Sequence, residues 1–271
     1  MVRCMRVTSR YYIPRNPTRK DSNMSLENKT VVITGAAMGI GRAAALCCAE
    51  AGGRTVLADI EEAGLKETFG DIHAAGGEAS CQVVDVSDAR QVEALMAGAV
   101  EDFGRIDALI NCAGILEGAF VPVDELDEAV WQHVMDVNLK GSFLTCKFAA
   151  AVMKEQQKGV IVLLSSGAGV RGGSSSVAYG TSKGAVHGQA VILESQLSPF
   201  GIRVHAVCPG GIATPMKLRN IAQAAESQGG SVEEALKQAD AYLGDAEGVG
   251  RILAFLVSDE ADHLRQTVFT R

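Results

Sequence analysis

Residues 30–41 read TVVITGAAMGIG, and this stretch decides the fold. Its first five residues are apolar or β-branched, as in a short buried strand, and the glycine-rich turn after them leads into an alanine-rich helix. Gly35 permits a tight turn, Gly39 lets a ligand approach the main chain, and Gly41 lets the helix pack closely on the strand. Such a turn presents the free N–H groups of a helix N-terminus to phosphate groups. The residues predicted to bind a dinucleotide here are Gly35, Met38, Gly39, Ile40 and Gly41.

Apolar strands alternate with helices along the rest of the chain. The further predicted strands are 55–59, 80–85, 108–111, 160–164, 203–207 and 267–269. The predicted helices are 41–51, 61–75, 88–103, 127–155 (one or two), 179–197, 216–242 (more than one) and 248–257. Continuous apolar strands are buried on both faces, which indicates a parallel sheet covered by helices on each side. The prediction is therefore an α/β protein with a single doubly wound parallel sheet of the Rossmann type over residues 25–271.

Asp59 closes the second predicted strand, downstream of the glycine turn. A carboxylate at this place accepts hydrogen bonds from the ribose hydroxyls of a dinucleotide and repels a 2′-phosphate. No Arg or Lys lies next to it to bind such a phosphate, so the predicted cofactor is NAD. Two structural alternatives stay open. The spacing of the turn is G-x-x-x-G-x-G rather than G-x-G-x-x-G, and Asp59 could simply cap the helix that begins near Glu61.

Tyr179 and Lys183 lie four residues apart at the start of a predicted helix and share one of its faces. A free phenol has a pKa near 10, and a neighbouring ammonium group or oxidised nicotinamide ring favours the phenolate. The pair therefore predicts a general acid/base with a lowered pKa. The same spacing also occurs in helices that have no catalytic role.

Six motifs together resemble the short-chain dehydrogenase/reductase family, over roughly residues 26–270. They are Thr34–Gly41, Asn111-Cys-Ala-Gly114, Asn138, Ser165-Ser166, Tyr179-Gly-Thr-Ser-Lys183 and Pro209-Gly210. The resemblance implies hydride transfer between NAD(H) and a secondary alcohol or ketone, such as a sugar, a steroid or a 3-oxoacyl thioester. It also implies a homodimer or homotetramer, built by pairing the long helices that follow Asn138 and Tyr179.

The resemblance further implies roles for individual residues. Tyr179 exchanges a proton with the substrate oxygen, Lys183 lowers the pKa of Tyr179 and holds the nicotinamide ribose, and Ser166 binds the substrate oxygen. Asn138 holds a water that links Lys183 to solvent. The further cofactor-binding residues implied are Asp85, Val86, Asn111, Ala113, Gly114, Pro209, Gly210, Ile212 and Thr214. Taken singly, Ser166 and Asn138 could be ordinary turn and helix residues.

The sequence departs from the family pattern in two places. Cys112 stands where the family often has a second Asn, and the usual Asp-Gly-Gly tail is missing after the last predicted strand. The tail often closes the substrate pocket or an oligomer contact, so the sequence leaves both features open.

Composition narrows the function classes. The net charge of −7 argues against a nucleic-acid partner, and no apolar run reaches 18 residues, so no membrane span is predicted. The seven cysteines lack C-x-x-C spacing and the five histidines are scattered, which predicts a cytoplasmic protein with reduced thiols and no metal site. Residues 1–24 are Arg-rich. They are expected to be a disordered extension or a start-site error, with a transit peptide as the alternative.

Two rival functions remain. Residues 180–184 fit the G-x-S-x-G elbow of an α/β-hydrolase, although the segment before them is a poor strand. A protein that binds NAD as a sensor, without turnover, would need only the glycine turn and Asp59. Residues 167–176 and 216–241 are expected to form the pocket and its mobile flap, but neither segment names a substrate beyond a small alcohol or ketone.

Overall fold

Seven parallel strands form one sheet in the computed structural model, which describes residues 24–270. The strands are β1 (Thr30–Thr34), β2 (Arg54–Asp59), β3 (Ala79–Val83), β4 (Ala108–Asn111), β5 (Gly159–Leu164), β6 (Ile202–Cys208) and β7 (Gln266–Phe269). Their order across the sheet is β3-β2-β1-β4-β5-β6-β7. The chain thus runs outward from β1 to one edge and then from β4 to the other, which confirms the predicted doubly wound parallel sheet.

Helices cover both faces of this sheet. They are α1 (Gly39–Glu50), α2 (Glu62–Ala74), α3 (Ala89–Phe103), α4 (Glu128–Met135), α5 (Gly141–Gln156), α6 (Gly167–Val170), α7 (Val177–Leu197), α8 (Pro215–Ser227), α9 (Val232–Ala239) and α10 (Ala246–Val257). Apolar residues of α1, α2 and α10 bury one face of the sheet, and those of α3, α5 and α7 bury the other. The central strands are buried along their whole length, as their continuous apolar sequences predict.

The sheet register brings the carboxyl ends of the strands to one edge. Thr34 of β1 pairs with Ala58 of β2 on one side and with Asn111 of β4 on the other. The connections leaving β1 and β4 go to opposite faces, so a crevice opens between them at this edge. The glycine turn, Asp59 and the Cys112 segment therefore meet at one place.

The predicted end of one strand was wrong, and the two long predicted helical regions each divide at a definite place. The third strand ends at Val83 rather than residue 85, because Asp85 turns the chain by accepting hydrogen bonds from the main-chain N–H and hydroxyl of Ser87. The region 127–155 contains a π-turn at Asp136–Lys140 between α4 and α5. The region 216–242 is broken at Gly229, whose φ of 67° lies in the left-handed region.

Within residues 24–270, no helix is long and apolar enough to cross a membrane. Residues 1–23, which include nearly all of the predicted N-terminal extension, lie outside the described residues.

Candidate active site

A cleft of about 1180 Å³ opens at the carboxyl edge of the sheet. The glycine turn lies at one end of it and helices α8 and α9 lie at the other. The predicted site residues that line it are Gly35, Met38, Gly39, Ile40, Gly41, Asp59, Ala113, Gly114, Ser166, Tyr179, Lys183, Pro209, Gly210, Ile212 and Thr214. The structure therefore brings together most of the residues singled out from the sequence.

The glycine turn is a tight cradle. A Cβ on Gly41 would lie 2.0 Å from the main-chain oxygen of Gly35, and a Cβ on Gly35 would lie 2.7 Å from the main-chain nitrogen of Ala113. Gly35 and Gly39 also have positive φ values, of 69° and 58°. Met38 caps α1 without a side-chain hydrogen bond, so side chains do not cover the first N–H groups of this helix. The turn can therefore receive an anionic group against the main chain.

Asp59 holds the two turns that flank it. Its Oδ2 accepts a hydrogen bond of 2.9 Å from the N–H of Ala37, and its Oδ1 accepts one of 3.0 Å from the N–H of Glu61. The N-cap of α2 is Glu61, whose carboxylate accepts from the N–H groups of Ala63 and Gly64. The alternative that Asp59 caps this helix was therefore wrong, and its half-exposed carboxylate faces the cleft.

The side chain of Asn111 does not line the cleft. Its Oδ1 accepts hydrogen bonds from the hydroxyls of Thr34 and Thr145, at 2.8 and 3.1 Å, and its Nδ2 donates to Ser142 at 2.8 Å. These hydrogen bonds hold the Asn111 side chain behind the cleft and connect β4 to β1 and α5. Asn111 is 2% exposed, and the polar atoms of its side chain find their hydrogen-bond partners inside the protein.

Asp85 and Val86 also lie outside this cleft. Asp85 is engaged in the turn with Ser87, and Val86 is buried against Gly141, where a Cβ would lie 2.8 Å from a Val86 methyl group. The expected adenine contact is thus not part of the cleft as the structure has it. The end of β3 at Val83 explains this placement, because the turn begins two residues earlier than the sequence pattern predicted.

Tyr179 stands in the first turn of α7, which is anchored at the cleft. The hydroxyl of Ser176 accepts a hydrogen bond of 3.1 Å from the N–H of Tyr179 and donates one of 2.6 Å to the main-chain oxygen of Glu117. Burial raises the pKa of the Tyr179 phenol, and its hydrogen bond with Ser166 acts in the opposite direction. The expected lowering of this pKa by Lys183 is not found within the protein alone, where burial outweighs the other influences.

Lys183 lies at the floor of the cleft. Its Nζ donates a hydrogen bond of 2.7 Å to the main-chain oxygen of Leu164, the last residue of β5. The side chain is buried, and burial lowers the pKa of its ammonium group to about 8. The ammonium lies 5.9 Å from the centre of the Tyr179 ring, so both groups act on the same part of the cleft.

Asn138 lies within the π-turn and is fully buried. Its Oδ1 accepts from the N–H of Ile115, and its Nδ2 donates to the main-chain oxygen of Ile115 and the hydroxyl of Ser182. Its main-chain oxygen accepts from Ser142 at 2.7 Å. A Cβ on Gly114 would lie 3.2 Å from both Asn138 Oδ1 and Lys183 Nζ, so Asn138 is close to Lys183 although it does not line the cleft.

The hydrolase alternative fails on geometry. Ser182, the serine of the G-x-S-x-G pattern, lies inside α7 and is fully buried. Its hydroxyl donates to the main-chain oxygen of Tyr179 at 2.8 Å. A nucleophile elbow needs a serine exposed on a sharp turn between a strand and a helix, and Ser182 has neither property.

The short chain dehydrogenase family model matches residues 29–225, which include the glycine turn, Ser166, Tyr179 and Lys183. The chain belongs to this family. Its members' shared chemistry makes it an oxidoreductase that acts on alcohol or ketone groups with a nicotinamide cofactor.

Relatives with assigned activities cover nearly the whole chain. Levodione reductase from Leifsonia aquatica is 34% identical over 245 residues, which span 89% of this chain and 91% of the relative. The crystal structure of an NAD⁺-bound xylitol dehydrogenase has a TM-score of 0.84 at 31% identity and covers 90% of this chain and 98% of its own. A variant of actinorhodin polyketide ketoreductase with NADPH has a TM-score of 0.85 at 31% identity, over 89% of this chain and 95% of its own.

No sequence pattern indicated the residues that connect the walls of the cleft. Phe120, whose φ of 64° is unusual for an aromatic residue, donates its N–H to the main-chain oxygen of Ser175 at 2.7 Å. Asn220 of α8 donates to the hydroxyl of Ser175 at 3.0 Å. Only the tertiary fold brings these three segments together. Arg171 was also missed, although it is the only charged residue between positions 167 and 176.

Proposed function

We propose that this chain is an NAD-preferring dehydrogenase or reductase that interconverts a secondary alcohol and a ketone, with Tyr179 as the general acid/base. The main support for the proposal is that Ser166, Tyr179 and Lys183 line the same cleft as the glycine turn. A sensor would need the glycine turn, but it would not need a hydroxyl, a phenol and an ammonium group gathered at the other side of the cleft.

The cleft fits a nicotinamide dinucleotide. The glycine cradle would receive its pyrophosphate, since a Cβ atom at Gly35 or Gly41 would collide with the main chain that gives the cradle its shape. Ala113, Gly114 and the segment 209–214 line the cleft beyond the cradle and would hold the nicotinamide end. When bound, this cofactor supplies the acceptor or donor of the hydride.

Asp59 supports the preference for NAD. Its carboxylate lines the cleft, and the residues that follow it are Ile60 and the acidic Glu61, which line the cleft as well. Two carboxylates at this end would repel a 2′-phosphate and accept hydrogen bonds from ribose hydroxyls. Similar structures in the family bind NAD⁺ in one case and NADPH in another, so this local charge is the argument for NAD.

Ser166, Tyr179 and Lys183 would each have a separate role in the reaction. Tyr179 removes the proton from an alcohol oxygen, or returns it to that oxygen in the reverse direction. Ser166, which interacts with the phenol, binds the same oxygen and stabilises its developing charge. Lys183 would place a positive charge 5.9 Å from the centre of the phenol ring, where it favours the phenolate against the effect of burial.

Asn138 completes the proposal as the site of a water that links Lys183 to solvent. The π-turn that contains it departs from regular helical hydrogen bonding, and such turns are frequent at functional sites. Its side chain holds the main chain of Ile115 and the hydroxyl of Ser182, the residue before Lys183.

The proposal includes a cytoplasmic location, which the state of the cysteines supports. Among the described residues, Cys47, Cys48, Cys81, Cys112, Cys146 and Cys208 are all free thiols. Four of them are buried in the core, and unpaired buried cysteines are typical of a reducing compartment.

A turnover assay tests the proposal. The purified protein is incubated with NAD and a panel of secondary alcohols that contains polyols, sugars, steroids, hydroxy acids and 3-hydroxyacyl thioesters, and reduced nicotinamide is followed by absorbance. We expect turnover within at least one class. NAD binding without turnover, in both directions and over the whole panel, would instead indicate the sensor.

A further inference from the structure

Basic side chains that lack acidic partners collect in the substrate half of the cleft. Arg171, Lys217 and Arg219 line this half, and none of them forms an ion pair with a carboxylate within residues 24–270. Most other described Arg and Lys residues do form such pairs. One acidic residue, Glu234, lines the same region, so positive charge predominates there.

Arg171 has a defined resting position. Its guanidinium carbon lies 4.0 Å from the centre of the Phe269 ring, at the end of β7. Stacking of this kind uses the face of the guanidinium group and leaves the N–H groups at its edge free to donate. No acceptor for these N–H groups is present in the described part of the chain, although a guanidinium group offers five donors. The guanidinium group of the exposed Arg171 thus rests on the Phe269 ring, and its N–H groups have no acceptor among the described residues.

Arg171 also lies near the reacting centre. It follows α6, whose N-cap is Ser166, and its N–H donates to the main-chain oxygen of Gly167. Burial raises the pKa of the Cys208 thiol, and the positive charge of Arg171 is one of the groups that lower it. Cys208 precedes Pro209 at the nicotinamide end of the cleft, so the guanidinium charge acts at this end and not beside Asp59.

On the basis of the function proposed above, we propose that the substrate carries a carboxylate group, which the edge of the Arg171 guanidinium binds. Lys217 and Arg219 attract the same group from the opposite wall. A guanidinium fork binds a carboxylate through two parallel hydrogen bonds. Leu116, Phe120, Met216 and Ile221 line the same half, so an apolar chain between the carboxylate and the reacting carbon fits the cleft.

A phosphate would share the charge of a carboxylate, but the helix ends here favour the carboxylate. Phosphate sites commonly use the free N–H groups of a helix N-terminus. The N-termini of α8 and α9 are capped by the side chains of Thr214 and Ser231, which accept from the N–H groups of Lys217 and Glu234. The experiment therefore includes a phosphorylated ligand as a separate arm.

The first measurement is binding, which does not depend on turnover. Calorimetry compares hexanoate, its neutral match hexanamide and glycerol phosphate as ligands of the protein saturated with NAD. We expect hexanoate to bind at least about tenfold more tightly than hexanamide, because charge-assisted hydrogen bonds are the stronger class. Equal affinity for the acid and the amide would overturn the proposal, and so would a preference for glycerol phosphate over hexanoate.

Variants of Arg171, with a control variant on α9, test which residue causes the preference for the acid over the amide. Arg171→Gln should remove the preference for the acid, and Arg171→Lys should keep only part of it, because an ammonium group lacks the planar fork. Lys237→Gln is the control. Lys237 is exposed on the neighbouring helix α9, forms no ion pair within the described residues and does not line the cleft. Its loss should leave the preference within about twofold. If the preference for the acid fell equally in Arg171→Gln and Lys237→Gln, the result would show general attraction to positive charge rather than binding at a site.

Turnover provides the second readout. 4-Oxopentanoate and 5-oxohexanoate are reduced with NADH beside their methyl esters, and the ratio of acid to ester in kcat/KM is measured. In Arg171→Gln this ratio should fall at least about tenfold, whereas the KM for NADH should stay within about twofold. A rise in the KM for NADH with an unchanged ratio would assign Arg171 to the cofactor instead. If binding shows the preference but no ketone is reduced, the proposed function fails while the anion site stands.

Discussion

The Nζ of Lys183 lies 2.7 Å from the main-chain oxygen of Leu164, and this bond joins α7 to the end of β5 at the floor of the cleft. A second bond, from the hydroxyl of Ser165 to the main-chain oxygen of Lys183, joins the same two elements. Burial lowers the pKa of the ammonium group to about 8. The charge beside Tyr179 therefore changes within the pH range in which such an enzyme works.

Replacing Lys183 should change the pH dependence of the reaction. Lys183→Met removes the charge that favours the phenolate, so the pKa that governs alcohol oxidation should rise by about one unit or more. The measurement is kcat/KM for the alcohol as a function of pH at saturating NAD. A lower rate with an unchanged midpoint would show that Lys183 only maintains the structure. Lys237→Met, on the surface of α9, should leave the profile unchanged.

Removal of the Asp59 charge should narrow cofactor preference. The unmodified protein should use NAD at least about tenfold better than NADP in kcat/KM, or about 1.4 kcal/mol. Asp59→Asn is the sharper variant, because Asn keeps an oxygen for one of the bonds to Ala37 and Glu61. It should reduce the ratio severalfold, and Glu62→Gln, an exposed neighbour that does not line the cleft, should not. Equal use of both cofactors by the unmodified protein would contradict the assignment.

His205 should make the protein sensitive to acid. It is fully buried in β6, and its Nε2 lies 3.2 Å from a guanidinium nitrogen of Arg203. Burial, followed by the charge of Arg203, lowers its pKa to about 4 from an ordinary value near 6.5. Between these values the unfolded chain binds a proton that the folded protein does not, so the free energy of unfolding falls as pH decreases from 6.5 to 4. The loss should reach up to about 3 kcal/mol.

Urea unfolding at pH 7 and pH 5 checks this prediction. In His205→Gln the drop between the two pH values should be smaller than in the unmodified protein. His263→Gln, at an exposed position, provides the matched control and should lose stability in parallel with the unmodified protein. A drop of the same size in all three proteins would show that carboxylates alone cause the acid sensitivity.

The exposed apolar side chains of α5 and α7 predict self-association as a homodimer or homotetramer. Phe143 is 54% exposed, and Val191 and Ile192 are 45% and 60% exposed. Neighbouring exposed apolar residues on two long helices indicate an interface. Light scattering should give a mass of two or four chains, and the double variant Phe143→Asp, Ile192→Asp should reduce it. Val123→Asp changes an apolar residue that is 74% exposed on a loop and should keep the assembly. A monomeric unmodified protein at micromolar concentration contradicts the prediction.

The sequence predicted the sheet well because each strand carries its own local signal. Residues 30–34 and 108–111 are continuous apolar runs, and the structure ends these strands at the predicted residues. The third strand was predicted to reach Asp85, and only the side-chain bonds to Ser87 show that the chain has already turned there. Hydrophobic periodicity gives little indication of a strand end that is set by side-chain hydrogen bonds.

In the candidate site, too, the features with a local sequence signal were predicted and those that depend on distant contacts were not. Most of the residues in the family motifs line the cleft, but Asn111 is turned away from it by partners on β1 and α5 that are distant in the chain. Burial raises the pKa of the Tyr179 phenol, and the four-residue spacing from Lys183 gives no sign of that burial. The contact between Phe120 and Ser175 depends on tertiary packing, and no sequence pattern indicated it.

The most direct test of the central claim is the rate of Tyr179→Phe on a confirmed substrate. Phenylalanine keeps the ring in its partly buried position and removes only the hydroxyl, so packing should change little. Tyr242→Phe removes the same hydroxyl from an exposed ring that also lines the cleft but is not part of the proposed chemistry, and it should change kcat by less than about threefold. With NAD affinity within a few-fold of the unmodified protein, Tyr179→Phe should lose at least about a hundredfold in kcat. Retention of most of the activity would contradict the role of Tyr179 as the acid/base, even though the fold and the family would stand.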